Sequence, residues 1–459
     1  MKNEENVVTR EGISKERLRK LNKLKKLNHV YSNDFRKKHR LGDLQKLFGS
    51  SQNFRKNSSA ITVTVAGRII SLQVYPNELR LVLRDSSGEL SAVLQTSVLK
   101  EPFSQVCRLL DIGDIVVLQG LLGISLRGEV FIKAYNGRIL CKSLLSSEEN
   151  STLADLFITP LVEKAKVGQR IRQRVLQLCR AHFSSSEFLE LLTPNLQEIP
   201  QPDAVQCECG DKEFALRPVK NFCLPMFAAS GIERCFEIGS SFQSGKDGVC
   251  EHHGLFAFAA FTDADWMQNF LSDCIKNIAL CLREEGLWEK EEAAGLFGPW
   301  RKLSLRRCIA ENGFVDYSES ASSKYSLEGV HYPYSFTFLE DASKLSSYFE
   351  ERILPKIKGP VVVSSYPDKE LLARDNDNGS NRFDILFAGK RIATASTFEN
   401  DPNVLLNRYP NEAQESGAVR NFLRALEFGI PPGSLAYIDL EALFSVLTTE
   451  EFSLTKMFS

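Results

Sequence analysis

The sequence lacks any long apolar run. No segment approaches the roughly eighteen consecutive hydrophobic residues of a helical membrane span, and no apolar stretch follows Met1 to Asn6, so neither a membrane span nor a cleaved secretory signal is expected. An excess of either charge is also missing. The formal net charge is −1, so the molecule as a whole gives no argument for a polyanionic partner. A disulfide pattern is absent too: the 11 cysteines are odd in number, scattered, and set mostly in apolar segments (Cys107, Cys179, Cys281). Such usage fits reduced thiols and a cytoplasmic location.

The sequence does have a full complement of core-forming residues, 43% hydrophobic and 25% charged over 459 residues, enough for two to four domains. Positive charge is concentrated locally, between Lys15 and Arg40. Residues 14–28 place Leu18, Leu21, Leu24 and Leu27 on one side of a helix, with lysine and arginine around the rest. One reading is a docked surface helix with a solvated basic face. A sharper one, compatible with it, is that Lys20, Lys23, Lys25 and Lys26 contact RNA phosphates. Residues 1–50 thus form a basic helical extension.

A region of short strands follows in residues 51–145. Ile61–Ile70, Leu79–Asp85, Glu89–Gln95, Asp114–Gly120 and Glu129–Lys133 read as strands, with a turn at Asp85 to Gly88 and a helix near Pro102–Leu110. Five strands with a helix between the third and fourth is the layout of an OB-fold barrel, which binds single-stranded nucleic acid over a basic, aromatic face. Arg68 and Arg80 are its candidate RNA contacts. The polar stretch Ser143 to Thr152 separates it from a larger region, residues 153–459.

That larger region is organised around residues 231–266. Ile232, Phe236, Ile238 and Phe242 alternate with polar residues, Gly245 to Gly248 supply a turn, and Leu255, Phe256, Phe258 and Phe261 resume the pattern. Phe236-Glu237-Ile238, Phe242, His252 and Phe256 together resemble the second signature motif of class II aminoacyl-tRNA synthetases, the lysine-specific subgroup most closely. The resemblance runs from about Val30 to the C-terminus. It implies an α+β fold: an N-terminal OB-fold barrel, then a catalytic-type domain with an antiparallel sheet flanked by helices. A helix carrying Val167 to Phe183 and the strand Phe188 to Pro194 resemble the first motif, which implies a homodimer.

In that family ATP and Mg2+ serve activation of lysine, followed by transfer to tRNA. His252 and Phe256 are the ATP-binding positions kept here; Arg217, Asn221, Glu237 and Arg374 fall in the substrate pocket. The charged positions depart from the pattern. Gln243 stands for an arginine that clamps phosphate, Gly245 for a glutamate, Glu251 for the loop arginine and Asn221 for the acid that grips the amino group. Leu440 replaces the arginine of the third motif, and Tyr437 crowds a position where glycine lets the backbone approach nucleotide. Of the two metal-holding carboxylates, one falls at Arg391 and the other at Phe398, with Glu399 a substitute if the register slips by one. The expectation is a degenerate, RNA-binding pseudoenzyme. The alternative is an active lysine–tRNA ligase with phosphate contacts from Lys246, Arg374 or Arg391. Cys207, Cys209, Cys250, His252 and His253 raise the thought of zinc, but the one-residue spacing of Cys207 and Cys209 is not that of a zinc knuckle. No Ser-His-Asp spacing accompanies Asp384 or Asp439.

Overall fold

Alternation of apolar and polar residues closes the first part of the chain into a barrel. The structure, a computed structural model, describes residues 15–27, 30–31, 33–48, 61–125, 129–144, 160–197, 204–209, 212–219, 223–245, 248–287, 295–313, 325–327, 330–332, 342–376, 379–409 and 417–448. The chain divides into two units, Met1–Val162 and Glu163–Ser459.

In the first unit, β1 (Thr62–Val74), β2 (Glu78–Arg84), β3 (Glu89–Gln95), β4 (Ile115–Ile124) and β5 (Val130–Cys141) form a closed barrel in the order β1-β2-β3-β5-β4. Leu79, Leu81 and Leu83 point inward while Arg80, Val82 and Arg84 face out, the two-residue period of a strand with one wet side. The short helix Phe103–Val106 closes one end, with Phe103 fully buried. β1 and β5 run further than alternation indicates. A bulge between Ile69 and Ser71 shifts the pairing of β1 with β2, and another at Gln119 and Gly120 does the same for β4 and β5. Each bulge breaks the period that sequence reading follows. Gly120 is required at the second: a Cβ there would lie 2.2 Å from the Lys133 carbonyl oxygen.

The basic helix Lys15–Lys26 is held to this barrel through Leu21 and Leu24, both buried, and through charge. Lys20 Nζ lies 2.7 Å from Asp111 Oδ1, and the buried Lys142 Nζ lies 2.5 Å from Asp111 Oδ2 and 2.7 Å from Asp114 Oδ2. Lys23, Lys25 and Lys26 remain exposed. A second tie comes from the helix Leu41–Phe48. Asp85 accepts hydrogen bonds from the amides of Leu41 (3.0 Å), Ser87 (2.7 Å) and Gly88 (3.2 Å), and pairs with Lys37.

In the second unit the strands are β6 (Leu189–Glu190), β7 (Leu196–Gln197), β8 (Val205–Cys209), β9 (Lys212–Leu216), β10 (Arg234–Gly245), β11 (Gly248–Ala260), β12 (Arg301–Ser304), β13 (Tyr325–Leu327), β14 (Val330–Tyr332), β15 (Val361–Tyr366), β16 (Asp375–Asn376), β17 (Gly379–Phe387), β18 (Lys390–Thr397) and β19 (Gly433–Asp439). The main sheet runs β12-β15-β17-β18-β19-β11-β10-β6, with β16 on β17; β7-β9-β8 and β13-β14 are separate small sheets. The expected antiparallel sheet is therefore mixed at its edges, because β6 pairs with β10 and β12 with β15 in parallel. Along β11 the two faces separate. Leu255, Ala257 and Ala259 pack under the helices Pro160–Ser185 and Ala264–Glu284, while Phe256, Phe258 and Ala260 join a second cluster on the opposite face. That second face carries the candidate site.

Burial opposes ionisation of Asp85, but its bonds from Lys37, Ser87 and Leu41 outweigh burial and hold its carboxyl well below the usual carboxylate range. A depressed folded-state value gives stability that is complete above the unfolded value, about 4, and is lost as pH falls below it. Asp85→Ala is expected to destabilise the barrel by about 2–4 kcal/mol in urea unfolding at neutral pH, and the gap between wild type and variant is expected to shrink as pH is lowered from about 4.

Candidate active site

Phe256 is the fixed point of the site. It is 7% exposed, and its ring is approached by Arg217, whose guanidinium carbon lies 5.6 Å from the ring centroid, and by Tyr437, whose centroid lies 5.0 Å away. Tyr437 arrives from β19, which pairs with β11 so that Tyr437 faces Phe256 in register. Its ring lies over Gly254, where a Cβ would stand 2.2 Å from Tyr437 Cε2. Tyr437 thus stands beside the aromatic ring that sequence reading reserves for a nucleotide base.

Arg217 is fully buried and bonded within the fold. Its Nη1 lies 2.5 Å from Glu237 Oε1 and 2.7 Å from Thr193 Oγ1, and its Nε donates to the Ser240 carbonyl at 2.9 Å. Glu237, 2% exposed, also accepts from the Thr193 amide at 2.9 Å and its hydroxyl at 2.8 Å. Gly239 makes room, since a Cβ there would sit 2.5 Å from Arg217 Nη2. Arg217 and Glu237, both expected in a substrate pocket, are partners of each other.

The substituted positions lie as follows. Gln243 is exposed on β10 opposite Cys250, and Gly245 pairs with Gly248 at the end of the hairpin. His252 is half-buried opposite Ser241. Leu440 begins the helix Leu440–Leu447 and is buried in the core of the other sheet face, while Asp439 caps that helix on the Ala442 amide at 2.9 Å. Asn221 and Lys246 lie outside the described residues.

Of the positions aligned with metal-holding carboxylates, Arg391 is paired with a neighbouring acid, Asp384. Asp384 is fully buried. It accepts from Arg382 Nε (3.0 Å) and Nη2 (2.9 Å), Arg391 Nε (2.6 Å) and Thr394 Oγ1 (2.9 Å). Burial alone would raise its carboxyl; Arg382 and Arg391 overcome that and hold it at about 2. Arg391 also pairs with Glu350. Glu399 is 6% exposed, with Arg374 Nη2 at 3.6 Å and Arg408 Nη2 at 3.8 Å, and it accepts from the Asp401 amide at 3.1 Å. Phe398 is buried against Phe258, 5.6 Å between centroids. A hard divalent cation needs several free oxygens. Asp384 is already saturated by guanidiniums, Glu399 lies between two, and no group of three or more His, Cys, Asp or Glu suited to a metal occurs among the described residues. The described residues do not fit magnesium.

Sequence reading missed Tyr366, Thr394, Glu350 and Glu370, which line a cavity on the same face together with Phe256, Arg382 and Arg391. Arg382, Asp384 and the facing Thr394 do carry a strand signal, two residues apart on one side and cross-strand neighbours on the other. Glu350 has none: it sits in the short π-helical turn Phe349–Ile353, where helical spacing changes. For the sealed pair, Arg217→Ala is expected to strand Glu237 and cost about 3–5 kcal/mol. The check is the melting of the second unit, which is expected to fall while barrel melting holds.

Comparison with known proteins gives the same picture of kinship. The family model "tRNA synthetases class II (D, K and N)" matches residues 149–451. The lysine–tRNA ligase of Burkholderia multivorans (strain ATCC 17616 / 249) is 26% identical over 478 residues, covering 95% of this chain and 93% of that protein. That of Paraburkholderia phytofirmans (strain DSM 17436 / LMG 22146 / PsJN) is 25% identical over 478 residues, covering 95% and 91%. With a family match over most of its length and lysine-type relatives along nearly all of it, the chain belongs to the class II tRNA synthetases of the D, K and N group and is lysyl-tRNA synthetase-like.

Proposed function

We propose that the protein is a lysyl-tRNA synthetase paralogue that binds tRNA or another RNA and makes little or no aminoacyl-adenylate. The observation that carries this is the engagement of the cations nearest Phe256. Arg217 is bonded to Glu237, and Arg382 and Arg391 to Asp384. Activation joins the carboxylate of an amino acid to the α-phosphate of ATP, two anions, and needs uncompensated positive charge from arginines and metal. Each lost donor of this kind costs on the order of 10²–10³ in rate, and Gln243, Leu440 and Phe398 remove several at once. An active lysine–tRNA ligase, the activity named for its relatives, is the competing reading. Two of its proposed phosphate contacts are engaged elsewhere, Arg374 with Glu399 and Asn400, Arg391 with Asp384 and Glu350.

RNA binding rests on the exposed Lys23, Lys25 and Lys26 of the basic helix, with Lys20 committed to Asp111. On the barrel, Arg80 lies 5.3 Å over Tyr75 and pairs with Glu78, while Arg68 donates to the Gly113 carbonyl at 2.7 Å. The barrel face is thus partly neutralised from within, and the helix is the stronger electrostatic contact. A homodimer is supported by Leu189 and Leu192, 51% and 85% exposed on the segment that resembles the first motif, with Leu196, 49% exposed, just beyond it. The setting we assign is the cytoplasm, where reduced thiols persist.

Lysine-dependent pyrophosphate exchange, in magnesium, is expected to equal the blank; exchange well above it overturns the reading. In RNA retention on filters, replacing Lys23, Lys25 and Lys26 by alanine is expected to weaken binding and lower the salt slope by about two. An unchanged slope removes the helix from the interface. Leu192→Asp is expected to convert a dimer to a monomer in light scattering.

A further inference from the structure

The sheet face that carries Phe256 opens into a cavity of about 590 Å³. Its apolar wall includes Leu224, Phe256, Leu372, Leu435 and Tyr437, and its polar wall is acidic: Glu350, Glu351, Asp368 and Glu370 against two guanidiniums, Arg382 and Arg391. Both guanidiniums are already matched, Arg391 by Asp384 and Glu350, Arg382 by Asp384 with Glu370 Oε2 at 3.7 Å. Glu351 and Asp368 have no cation partner among the described residues; the Asp368 carboxylate accepts from Ser346 Oγ at 2.8 Å. The lining therefore carries surplus negative charge beside an aromatic and aliphatic floor.

A second observation is independent of that charge. Tyr366, 2% exposed, lines the cavity; its hydroxyl lies by the Asp384 carboxylate, which can only accept, and nothing among the described residues donates to its oxygen. Leaving a buried acceptor without a donor is costly, a cost that a ligand bearing N–H donors relieves. The cavity is large enough for a small organic ligand.

We infer that this cavity binds a small aliphatic diamine or polyamine that carries no carboxylate. Its ammonium groups donate to Asp368, Glu351 and Glu370 and to Tyr366 Oη, and its methylenes lie along Phe256 and Tyr437. A carboxylate is excluded for a stated reason: no lining guanidinium is left uncompensated, so an entering anion meets only surplus acid and loses its hydration without replacement. This goes beyond the RNA-binding reading and is separable from it, because it concerns residues of the second unit alone.

Cadaverine and lysine differ by one carboxylate, which makes them the deciding pair. Isothermal titration of the full chain with cadaverine, putrescine, spermidine, lysine and magnesium-ATP is the experiment. At least one of the amines is expected to bind, with a Kd that rises with salt, and lysine is expected to bind at least about tenfold more weakly than cadaverine. Glu351→Gln and Asp368→Asn are each expected to weaken amine binding about tenfold, with the melting of the unliganded variants checked to show that they fold; Glu351 is exposed, so its variant keeps the test open if the other fails to fold. Lysine binding as tightly as cadaverine, ATP displacing the amine, affinity unmoved by both substitutions, or no binding of any amine at millimolar concentration each overturns the inference. RNA retention is read on the same preparations, so either reading can fail alone.

Discussion

Arg217, just after β9, and Glu237, on β10, lie 2.5 Å apart with almost no exposure. A pair like this is costly to desolvate and costlier to break, so both members are committed to the fold. The same constraint governs the rest of the face. Asp384 is saturated by Arg382, Arg391 and Thr394, and Glu399 lies between Arg374 and Arg408. Beyond the arginines that Gln243 and Leu440 replace by the family resemblance, the guanidiniums that remain on this face are matched by carboxylates. A cleft whose cations are matched offers no field to a polyanion, whatever its shape.

Steric change accompanies the electrostatic one. Tyr437 fills the space over Gly254 and packs on Phe256, and Phe398 puts an aromatic ring among Phe258 and Phe422 where the family resemblance implies a metal-holding acid. Both rings extend the apolar cluster on that face. Burial of an aromatic side chain contributes about 1.5–3 kcal/mol. Tyr437 and Phe398 therefore add packing at positions where the family resemblance implies a glycine and a carboxylate.

Much of the fold was legible because two-residue alternation marks strands and is unambiguous where one face is buried. Leu79, Leu81 and Leu83 gave the barrel away, as did Phe236, Ile238 and Phe256 for the central hairpin. Alternation failed at Ile69 to Ser71 and at Gly120, where bulges slip the register. The candidate site was legible only as a set of departures. That Arg391 reverses a charge is plain from the sequence. That it pairs with Asp384 and with Glu350, forty-one residues away, is not, because the contact depends on a π-helical turn. Likewise the leucines of the basic helix announce docking, but the partner of Lys20 is Asp111, supplied by a loop with no pattern of its own.

The cation matching and the acidic cavity are two consequences of one rearrangement. Arg391, which stands for a carboxylate by the family resemblance, is paired with both Asp384 and Glu350. The acids further out, Glu351 and Asp368, then face the cavity without a cation to answer them. Among the described residues of this lining the acids outnumber the cations, so its local field favours positive charge. Reverting Arg391 alone would leave Asp384 facing a second acid with Tyr437 still over the ring. On the reading proposed above, restoring nucleotide chemistry would therefore need electrostatic and steric changes together.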